Sequence, residues 1–316
     1  MTMNPARSII IDTDPGQDDA VAILLALASP ELNVLGITAV AGNVPLALTT
    51  RNVCILLELA GRQDVPVYAG AARPMVRSLV TAEYVHGKTG LDGPDLPEPT
   101  LALTPGDATD FIIRTLREHP PGSVTLCPLG PLTNIGLALV RAPDIAPRIA
   151  EIVLMGGGCF EGGNITPAAE FNIFVDPHAA EVVFKSGVPI TMMPLDVTHQ
   201  VLSTRARIAA IRAIGNRRAE VVAQMLEFFE RFDVAKYQSD GGPLHDPCVI
   251  AYLLQPGLFE GRYINVEIET RSELTMGMTV ADWWGVTGRP ANAWFMRKVD
   301  ADAFFTLLCE RLARLP

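Results

Sequence analysis

Four aspartates lie within eight residues near the start of the chain, in the segment IIIDTDPGQDDAVAILLAL. Asp12 and Asp14 close an apolar run that is typical of a buried strand, and a Pro-Gly pair then forces a sharp turn. Asp18 and Asp19 follow in the first turn of a predicted helix, where free N–H groups and the helix dipole stabilise negative charge. Helix capping is a sufficient explanation for two acids, but four carboxylates around one turn repel one another unless a cation or protons offset their charge. We therefore predict a metal site at this turn.

The chemistry of these side chains indicates which kind of metal the site would bind. Carboxylate oxygens are ligands for hard cations such as Ca²⁺ and Mg²⁺, and no histidine or cysteine lies at ligand spacing beside them. The five cysteines are scattered and include no CxxC pair, so we expect reduced thiols rather than disulfides or a zinc site. A DxD segment before an apolar helix also suits the haloacid-dehalogenase phosphatases, which use Mg²⁺ and an aspartyl nucleophile. The reaction is therefore open at this point.

The elements that must position these acids alternate between short apolar strands and helices over the first two-thirds of the chain. This alternation is typical of a doubly wound, mainly parallel sheet. The predicted strands are RSIIIDTD, LNVLGITAV, VPVYAG, SVTLCPLG, EIVLMGGG and PITMMPLD. The predicted helices between them include QDDAVAILLALA, PLALTTRNVCILLELAG, DATDFIIRTLREH and PLTNIGLALVR.

The last third of the chain has a different pattern. Residues 203–232 are predicted to be helical, and YINVEIET and ANAWFMRKV are typical of an antiparallel edge. DADAFFTLLCERLARL predicts a closing amphipathic helix with an aspartate as its N-cap. No linker, repeat or low-complexity segment interrupts the sequence. We therefore predict a single α/β domain over residues 1–316, with a Rossmann-like core, a helical lid region and a C-terminal antiparallel edge.

Five of the predicted strands end in polar or glycine-rich residues, namely DTDPGQDD, AGN, PLGPLTN, MGGG and LDVTH. In open α/β sheets the ligand crevice lies outside the carboxyl ends of the strands. These strand ends therefore predict one binding site along that edge of the sheet. The glycines of MGGG lack the spacing of a dinucleotide- or phosphate-binding loop, so they indicate a tight turn or a close backbone approach.

Several single residues in these segments have simple explanations when each is considered alone. Asn43 after a strand is typical of a turn. Glu170 and Asn172 alternate along EFNIF, which predicts that they share a face of an extended segment. His245 beside Asp246 is typical of a local hydrogen-bonded pair. A functional assignment depends on their combination.

The segment DTDPGQDDA resembles the DxDPGxDD signature of the inosine/uridine-preferring nucleoside hydrolase family. The blocks that follow in the order of that family are AGN at 41–43, PLGPLTN at 128–134, VLMGGG at 153–158, GNITPAAEFNIFVDP at 163–177 and GGPLHDPC at 241–248. The resemblance spans Ile9 to Leu254. It implies an enzyme that uses water to cut the N-ribosidic bond of ribonucleosides such as uridine and inosine. A dehalogenase-type phosphatase would need a downstream Ser/Thr, a Lys and a second acidic pair, and it gives no reason for the EFN and HDP blocks.

The resemblance also implies roles for the acidic cluster, with Ca²⁺ as the cofactor. The implied ligands of the ion are Asp14, Asp19, Asp246 and the main-chain carbonyl of Leu129. Many relatives carry Thr where this chain has Leu129, but a main-chain ligand does not depend on the side chain. Asp18 would be the general base for the metal-bound water.

The remaining implied residues would bind the nucleoside. The residues that would hold the sugar are Asn43, Asn164, Glu170 and Asn172 for its hydroxyls and Met155 beneath the ring. On the base side, His245 is the candidate proton donor. His86 lies in the glycine-rich segment EYVHGKTGLDGPD, which predicts a lid over the site, and Tyr237 lies eight residues before His245. A lid tyrosine near this position contacts the base in pyrimidine-accepting relatives. We therefore expect Tyr237 to contact the base, and uridine to be accepted at least as well as inosine.

The bulk composition restricts the partners. The net charge of −10 and the pI near 5.0 disfavour nucleic acid and anionic membranes, because both require a basic surface. The apolar run near the start is too short for a signal peptide, and no stretch approaches the length of a membrane span. We therefore expect a cytoplasmic protein. The resemblance implies a homodimer or a homotetramer.

A Ca²⁺-dependent nucleoside- or ribose-binding protein without turnover is the alternative from another functional class. Asp18 discriminates between the two, because a binding protein does not need a base beside the metal. The expected cytoplasmic location also disfavours a transport receptor.

Overall fold

The central feature of the fold is an eight-stranded sheet, in a computed structural model that describes residues 6–315 apart from the side chains of Asp233 and Tyr237. The strands are β1 (Arg7–Thr13), β2 (Leu32–Ala39), β3 (Val67–Ala69), β4 (Val124–Pro128), β5 (Ile149–Met155), β6 (Ile190–Met193), β7 (Leu202–Thr204), β8 (Gly241–Pro243), β9 (Phe259–Ile264), β10 (Val266–Ile268), β11 (Thr279–Ala281) and β12 (Ala293–Val299). The helices are α1 (Gln17–Leu27), α2 (Leu46–Ala60), α3 (Glu83–His86), α4 (Ala108–Glu118), α5 (Thr133–Arg141), α6 (Phe171–Val175), α7 (Pro177–Phe184), α8 (Leu195–Thr198), α9 (Arg205–Arg212), α10 (Arg217–Tyr237), α11 (Pro247–Leu254) and α12 (Ala301–Leu312). Short 3-10 helices span Pro143–Arg148 and Pro256–Leu258.

The order of the strands in the main sheet is β3-β2-β1-β4-β5-β6-β12-β9. Neighbouring strands are parallel except for β12 and β9 at one edge. The prediction of a doubly wound, mainly parallel sheet with a C-terminal antiparallel edge is therefore confirmed. The winding direction reverses between β1 and β4, where Asp12 is paired with Pro128. A crevice opens at such a reversal in α/β sheets, and here it lies directly beyond the acidic segment.

Two predicted elements of the last third are divided in the structure. YINVEIET is not one strand, because β9 ends at Ile264 and β10 pairs with β11 in a separate two-stranded sheet. The helical stretch 203–232 contains two helices, since Gly215 adopts a φ of 80° between them. The second helix, α10, then begins with Asn216 as its N-cap, whose side chain accepts a hydrogen bond from the backbone N–H of Ala219.

Helices cover both faces of the sheet, and β1 shows how the sequence permits this. Ile10 belongs to an apolar cluster with residues of α4, α5 and α7 on one face. Ile9 and Ile11 belong to a second cluster with residues of α1, α2, α11 and α12 on the other face. All three side chains are fully buried. Successive residues of a strand point to opposite faces, so a strand that is covered on both sides requires a continuous apolar run.

Helix α1, which carries Asp18 and Asp19, is buried along its whole length. It packs against α2, α10, α11 and α12 as well as the sheet. A helix that is enclosed on every side is apolar all round rather than amphipathic, as the AVAILLAL run is. This packing fixes the position of the N-terminus of α1 at the crevice.

The closing helix α12 begins where the sequence predicts. The side chain of Asp300 accepts a hydrogen bond from the backbone N–H of Ala303 and caps the helix. Among the helices within residues 6–315, none combines the length and the apolar character that a membrane crossing requires.

The burial of α1 predicts the effect of truncating its central side chain. Leu24 is fully buried, and Leu24→Ala should lower the free energy of unfolding by about 2–5 kcal/mol, because the cavity left behind is only partly filled by its neighbours. Leu274 is 86% exposed and provides the matched control. Leu274→Ala should change the stability by less than about 0.5 kcal/mol. Urea unfolding measures both variants, and equal effects would contradict the enclosure of α1.

Candidate active site

A cleft opens beyond the carboxyl ends of β1, β2, β4 and β5. The predicted site residues that line it are Asp18, Asn43, His86, Leu129, Met155, Asn164, Glu170, Asn172, His245 and Asp246. Asp14 and Asp19 are buried behind Asn43, to which both are hydrogen bonded. The prediction for Tyr237 lies outside the described residues, because its side chain is not described. The structure therefore brings together residues that are spread over most of the chain.

Asp12 ties together the elements on either side of the crevice. Its Oδ1 accepts hydrogen bonds from Thr38 Oγ1 of β2 at 2.5 Å and from Asn134 Nδ2 of α5 at 2.7 Å. Asn134 Nδ2 also donates to the main-chain oxygen of Ala39. Burial raises the pKa of Asp12 to about 7. Asp12 therefore holds the walls of the crevice and does not line the cleft.

Asn43 holds two of the acids through neutral hydrogen bonds. Its backbone N–H donates to Asp14 Oδ2 at 2.7 Å, and its Nδ2 donates to the main-chain oxygen of Asp14 and to Asp19 Oδ2. Asp19 also accepts hydrogen bonds from Thr13 Oγ1 at 2.5 Å and from the backbone N–H of Gly16 at 2.9 Å. Both hydrogens of the Asn43 side-chain amide are thus donated to the two aspartates, so Oδ1 is the atom of this side chain that can contact a ligand.

Three carboxylates converge where α1 meets α11. One oxygen each of Asp18, Asp19 and Asp246 lies within 4.8 Å of the others. Burial, followed by the charge of Asp19, raises the pKa of Asp18 to about 8. Burial raises the pKa of Asp246 well above its usual range, and the charge of Asp18 adds to this effect. Carboxylates this close in a buried site do not all remain ionised unless another charge compensates them.

The acidic cluster fits a divalent cation with oxygen ligands. Asp14 Oδ1 is buried and has no hydrogen-bond partner among the described residues, which is costly for a carboxylate oxygen. Two glycines make room for this carboxylate: a Cβ at Gly42 would lie 2.0 Å from Asp14 Oδ2, and a Cβ at Gly130 would lie 2.2 Å from Oδ1. Burial, followed by the charge of Asp19, raises the pKa of Asp14 well above its usual range. Such a set of hard oxygen donors suits Ca²⁺ or Mg²⁺.

Asn172 joins the ends of β4 and β5 beside the acidic cluster. Its Nδ2 donates to the main-chain oxygen of Leu129 at 2.6 Å and lies 3.3 Å from the main-chain oxygen of Met155. A carbonyl oxygen has two lone pairs, so Leu129 keeps one for a further partner. The side chains of both Leu129 and Met155 are almost fully buried. The main-chain carbonyls at these strand ends are therefore held in place by one side chain.

The predicted extended conformation of EFNIF is wrong. Phe171–Val175 forms the short helix α6, and Glu170 is its N-cap. Glu170 Oε1 accepts a hydrogen bond from the backbone N–H of Asn172 at 2.9 Å, and Oε2 accepts from those of Gly157 at 2.9 Å and Ile173 at 3.2 Å. A carboxylate that binds the free N–H groups of the first turn stabilises a helix there. Burial raises the pKa of this N-cap to about 7.

His245 lies in the wall of the cleft next to the acidic cluster. Its Nδ1 is 2.7 Å from Thr198 Oγ1, and its ring centroid is 5.8 Å from that of His199. His199 in turn lies 3.2 Å from Glu161. Burial, with a smaller contribution from His199 and His86, lowers the pKa of His245 well below its usual range. The polar strand end LDVTH indicated this segment, but the sequence did not single out its threonine and histidine.

Aromatic side chains that the sequence did not single out form a further wall, partly in the segment EFFERF before the HDP block. Tyr84 of α3 and Phe229 and Phe232 of α10 all line the cleft. Tyr84 meets Phe232 edge-on, with ring centroids 5.5 Å apart, and His86 stacks with Phe229 at 5.6 Å. Two phenylalanines three residues apart in a predicted helix share one face, which is the signal that could have identified this pair.

Known proteins resemble this chain over nearly its whole length. A sequence model of the family described as inosine-uridine preferring nucleoside hydrolase matches residues 9–306. The pyrimidine-specific ribonucleoside hydrolase RihA of Shewanella sp. (strain MR-7) is 50% identical over 309 residues, which cover 98% of this chain and 96% of that protein. An uncharacterized protein of Schizosaccharomyces pombe is 56% identical over 308 residues, with 98% and 99% covered. A solved structure of the purine-preferring ribonucleoside hydrolase from Gardnerella vaginalis has a TM-score of 0.91 at 32% identity, and 98% of this chain and 99% of that chain are covered.

These matches include every strand end that contributes to the cleft. They agree with the resemblance that starts at DTDPGQDDA, and with a cleft that combines buried acids, histidines and aromatic rings. The phosphatase interpretation has no comparable support. The chain belongs to the inosine-uridine preferring nucleoside hydrolase family and is a ribonucleoside hydrolase.

Proposed function

We propose that the cleft hydrolyses uridine, inosine and related ribonucleosides to free base and ribose, with Ca²⁺ as cofactor and Asp18 as the general base. The observation that carries this proposal is the buried cluster of Asp18, Asp19 and Asp246, two members of which line the cleft. Cleavage of an N-ribosidic bond develops positive charge on the sugar ring and negative charge on the departing base. The acidic and amide oxygens suit the sugar, and the aromatic and histidine walls suit the base.

The residues proposed to hold the sugar present oxygen atoms near the ends of β2, β5 and α6, and they are Asn43, Asn164, Glu170 and Asn172. Asn164 Oδ1 accepts a hydrogen bond from the backbone N–H of Phe171 at 2.9 Å, which orients its amide. Met155 contributes an apolar side chain that can pack beneath the ring. Oxygens that are fixed before the reaction stabilise an oxocarbenium-like transition state without reorganisation.

Asp18 is the acid best placed to accept a proton from the attacking water. It lines the cleft, whereas Asp19 is enclosed and accepts hydrogen bonds from three described groups, Thr13 Oγ1, Gly16 N and Asn43 Nδ2. A general base must reach the proton that it removes, and geometry comes before pKa in this choice. The position of Asp18 also distinguishes the hydrolase from a nucleoside-binding protein without turnover, which would not need a base there.

The proposed ligands of Ca²⁺ are Asp14, Asp19, Asp246 and the main-chain oxygen of Leu129. Two observations support this set: Oδ1 of Asp14 has no hydrogen-bond partner among the described residues, and the main-chain oxygen of Leu129 accepts from Asn172 with only one of its two lone pairs. When bound, the ion supplies positive charge that offsets the carboxylates and lowers the pKa of a nearby water molecule.

His245 is the proposed proton donor to the departing base. Its Nδ1 is held by Thr198, and Nε2 makes no hydrogen bond to a described residue, so that atom is free to contact a ligand. His86 and Tyr237 are proposed to contact the base. The relative named pyrimidine-specific is closer in sequence than the structure named purine-preferring, which supports our proposal that uridine is accepted at least as well as inosine.

Three further expectations remain proposals. They are a homodimer or homotetramer, a cytoplasmic location, and one nucleoside hydrolase domain over residues 1–316. The acidic charge of the chain supports the expectation that neither nucleic acid nor a membrane is its partner.

One assay tests the proposed reaction. The protein is incubated with uridine, inosine or a phosphomonoester in buffer that contains Ca²⁺ and no phosphate, and released reducing sugar and phosphate are measured. Ribose from both nucleosides and no phosphate is the expected result. Ribose release without phosphate also excludes a phosphorylase, which needs phosphate as co-substrate. Binding of nucleosides without release would support the binding-protein alternative, and release of phosphate would support the phosphatase.

The role of Asp18 is tested by Asp18→Asn, which keeps the shape of the side chain. The variant should fold and bind Ca²⁺ but lose kcat by about 10²–10⁴-fold, because the general base is removed. Asp176 is also fully buried, yet it does not line the cleft. Folded Asp176→Asn should therefore keep kcat within a few-fold, even if its thermal midpoint falls. Near-normal turnover of Asp18→Asn would exclude Asp18 as the base.

The metal site is tested by chelation and by Asp14→Ala and Asp246→Ala. Ca²⁺ should raise the thermal midpoint of the chelated wild type and restore its activity, because binding to the folded state offsets the repulsion among the acids. Each variant should weaken Ca²⁺ binding and raise KM together. Asp144→Ala, which removes an exposed acid, is the control. Activity and thermal midpoint that are unchanged after exhaustive chelation would exclude the metal site.

A further inference from the structure

The side-chain amide of Gln17 has a fixed orientation. Gln17 is the first residue of α1 and is fully buried. Its Nε2 lies 3.0 Å from the main-chain oxygen of His86 and 3.0 Å from that of Asp92. Carbonyl oxygens only accept hydrogen bonds, so the atom between them must be the NH₂ group, and both of its hydrogens are used. The amide oxygen Oε1 therefore points away from these carbonyls, towards the His86 ring.

This orientation determines which nitrogen of His86 carries the hydrogen. Oε1 of Gln17 lies 2.8 Å from His86 Nδ1, and an amide oxygen can only accept a hydrogen bond. Nδ1 must therefore be the donor. Burial lowers the pKa of His86 to about 3, so the ring is neutral and carries a single N–H. Its other nitrogen, Nε2, is left with a lone pair.

The lone pair of Nε2 is available to a ligand. His86 lines the cleft, and its ring stacks with that of Phe229 on the aromatic wall. No described residue makes a hydrogen bond to Nε2, and this atom is not one of the fully enclosed polar atoms that lack a partner. An unprotonated ring nitrogen in this position accepts a hydrogen bond and cannot donate one.

We propose that Gln17 is a positioning residue that holds His86 as a hydrogen-bond acceptor for an N–H group of the substrate's base. This inference rests on the proposed function of the cleft. It favours nucleosides whose base carries a ring N–H, as uracil and hypoxanthine do. It also means that His86 does not protonate the departing base, so His86 and His245 have different roles in the cleft.

A purely structural role for Gln17 would be to anchor the segment after α3, since its Nε2 binds two carbonyls there. Asn52 provides a matched control for that role. It is also fully buried, and its Nδ2 donates to the main-chain oxygens of Pro15 and Thr89 without contacting the His86 ring. Loss of either amide loosens the same segment, but only loss of Gln17 frees the His86 ring.

Nitrogen NMR of the protein labelled in its histidines tests the hydrogen position directly. In the wild type with Ca²⁺, His86 should show a hydrogen-bearing Nδ1 and an unprotonated Nε2, with the assignment made by loss of the signals in His86→Phe. Gln17→Met removes the acceptor at nearly constant volume, so its His86 signals should shift towards a mixture of the two forms. Asn52→Leu should keep the wild-type pattern. A hydrogen on Nε2 in the wild type would overturn the proposal.

Kinetics with paired substrates test the consequence for recognition. The kcat/KM of uridine is compared with that of 3-methyluridine, and that of inosine with that of 1-methylinosine. In each pair the ring N–H becomes N–CH₃ while the carbonyl form of the base is kept. The wild type should prefer the N–H member of at least one pair, and this preference should fall by about tenfold in Gln17→Met and in His86→Phe, as expected when one hydrogen bond is lost. Asn52→Leu should change kcat/KM by the same factor for both substrates of a pair. The two bases of a pair differ as leaving groups, but this difference cancels when the ratio of their kcat/KM values is compared between wild type and variant.

The outcomes separate this inference from the proposed function. If the wild type releases ribose but its preference in both pairs is the same in Gln17→Met, the role of Gln17 is excluded while the hydrolase remains. If the preference falls equally in Asn52→Leu, the amide acts only by anchoring the segment, and the proposal is overturned. If no nucleoside releases ribose, the proposed function itself fails.

Discussion

Repulsion among buried carboxylates at the carboxyl end of β1 is the constraint on which the rest of the site depends. Burial and neighbouring charge raise the pKa of Asp18 to about 8, and they raise that of Asp246 as well. The neighbouring groups that satisfy the acids are neutral amides, hydroxyls and backbone N–H groups, and no described arginine or lysine lines the cleft. Neutral donors hold the carboxylates in position but do not compensate their negative charge, which a bound cation would do.

The topology of the sheet makes this crowding possible. Because the winding reverses between β1 and β4, the chain leaves a crevice at this point instead of covering it with a crossover helix. Helix α1 is enclosed by four other helices, so its acidic first turn cannot move away from the crevice to relieve the repulsion. The stability of the core therefore maintains a cluster that is unfavourable by itself, which is common at functional sites.

The cleft contains groups of different electrostatic character. Acidic and amide oxygens lie around the strand ends, where charge develops on a sugar, and the aromatic rings of α3 and α10 form an apolar wall. Between them, burial lowers the pKa values of His86 and His245. In a neutral imidazole one ring nitrogen donates a hydrogen bond and the other accepts one. The hydrogen-bond partner of Nδ1 influences whether Nε2 is the donor or the acceptor. Thr198 and Gln17 occupy those positions for His245 and His86.

The sequence alone predicted the mainly parallel sheet, the helices around it and the location of the acidic turn, because apolar periodicity reports which faces of an element are buried. It also associated Asp246 with the first aspartates, but only through the resemblance to a family. The helix after Glu170 was not predicted. Its N-cap, the Glu170 carboxylate, is held partly by a hydrogen bond from the backbone N–H of Gly157, which follows a strand that is distant in sequence. The pairing of Gln17 with His86, 69 residues apart, was likewise decided by the tertiary structure. A hydrogen bond depends on where two atoms meet in space, and periodicity carries no information about which polar atoms the packing of distant elements brings into contact.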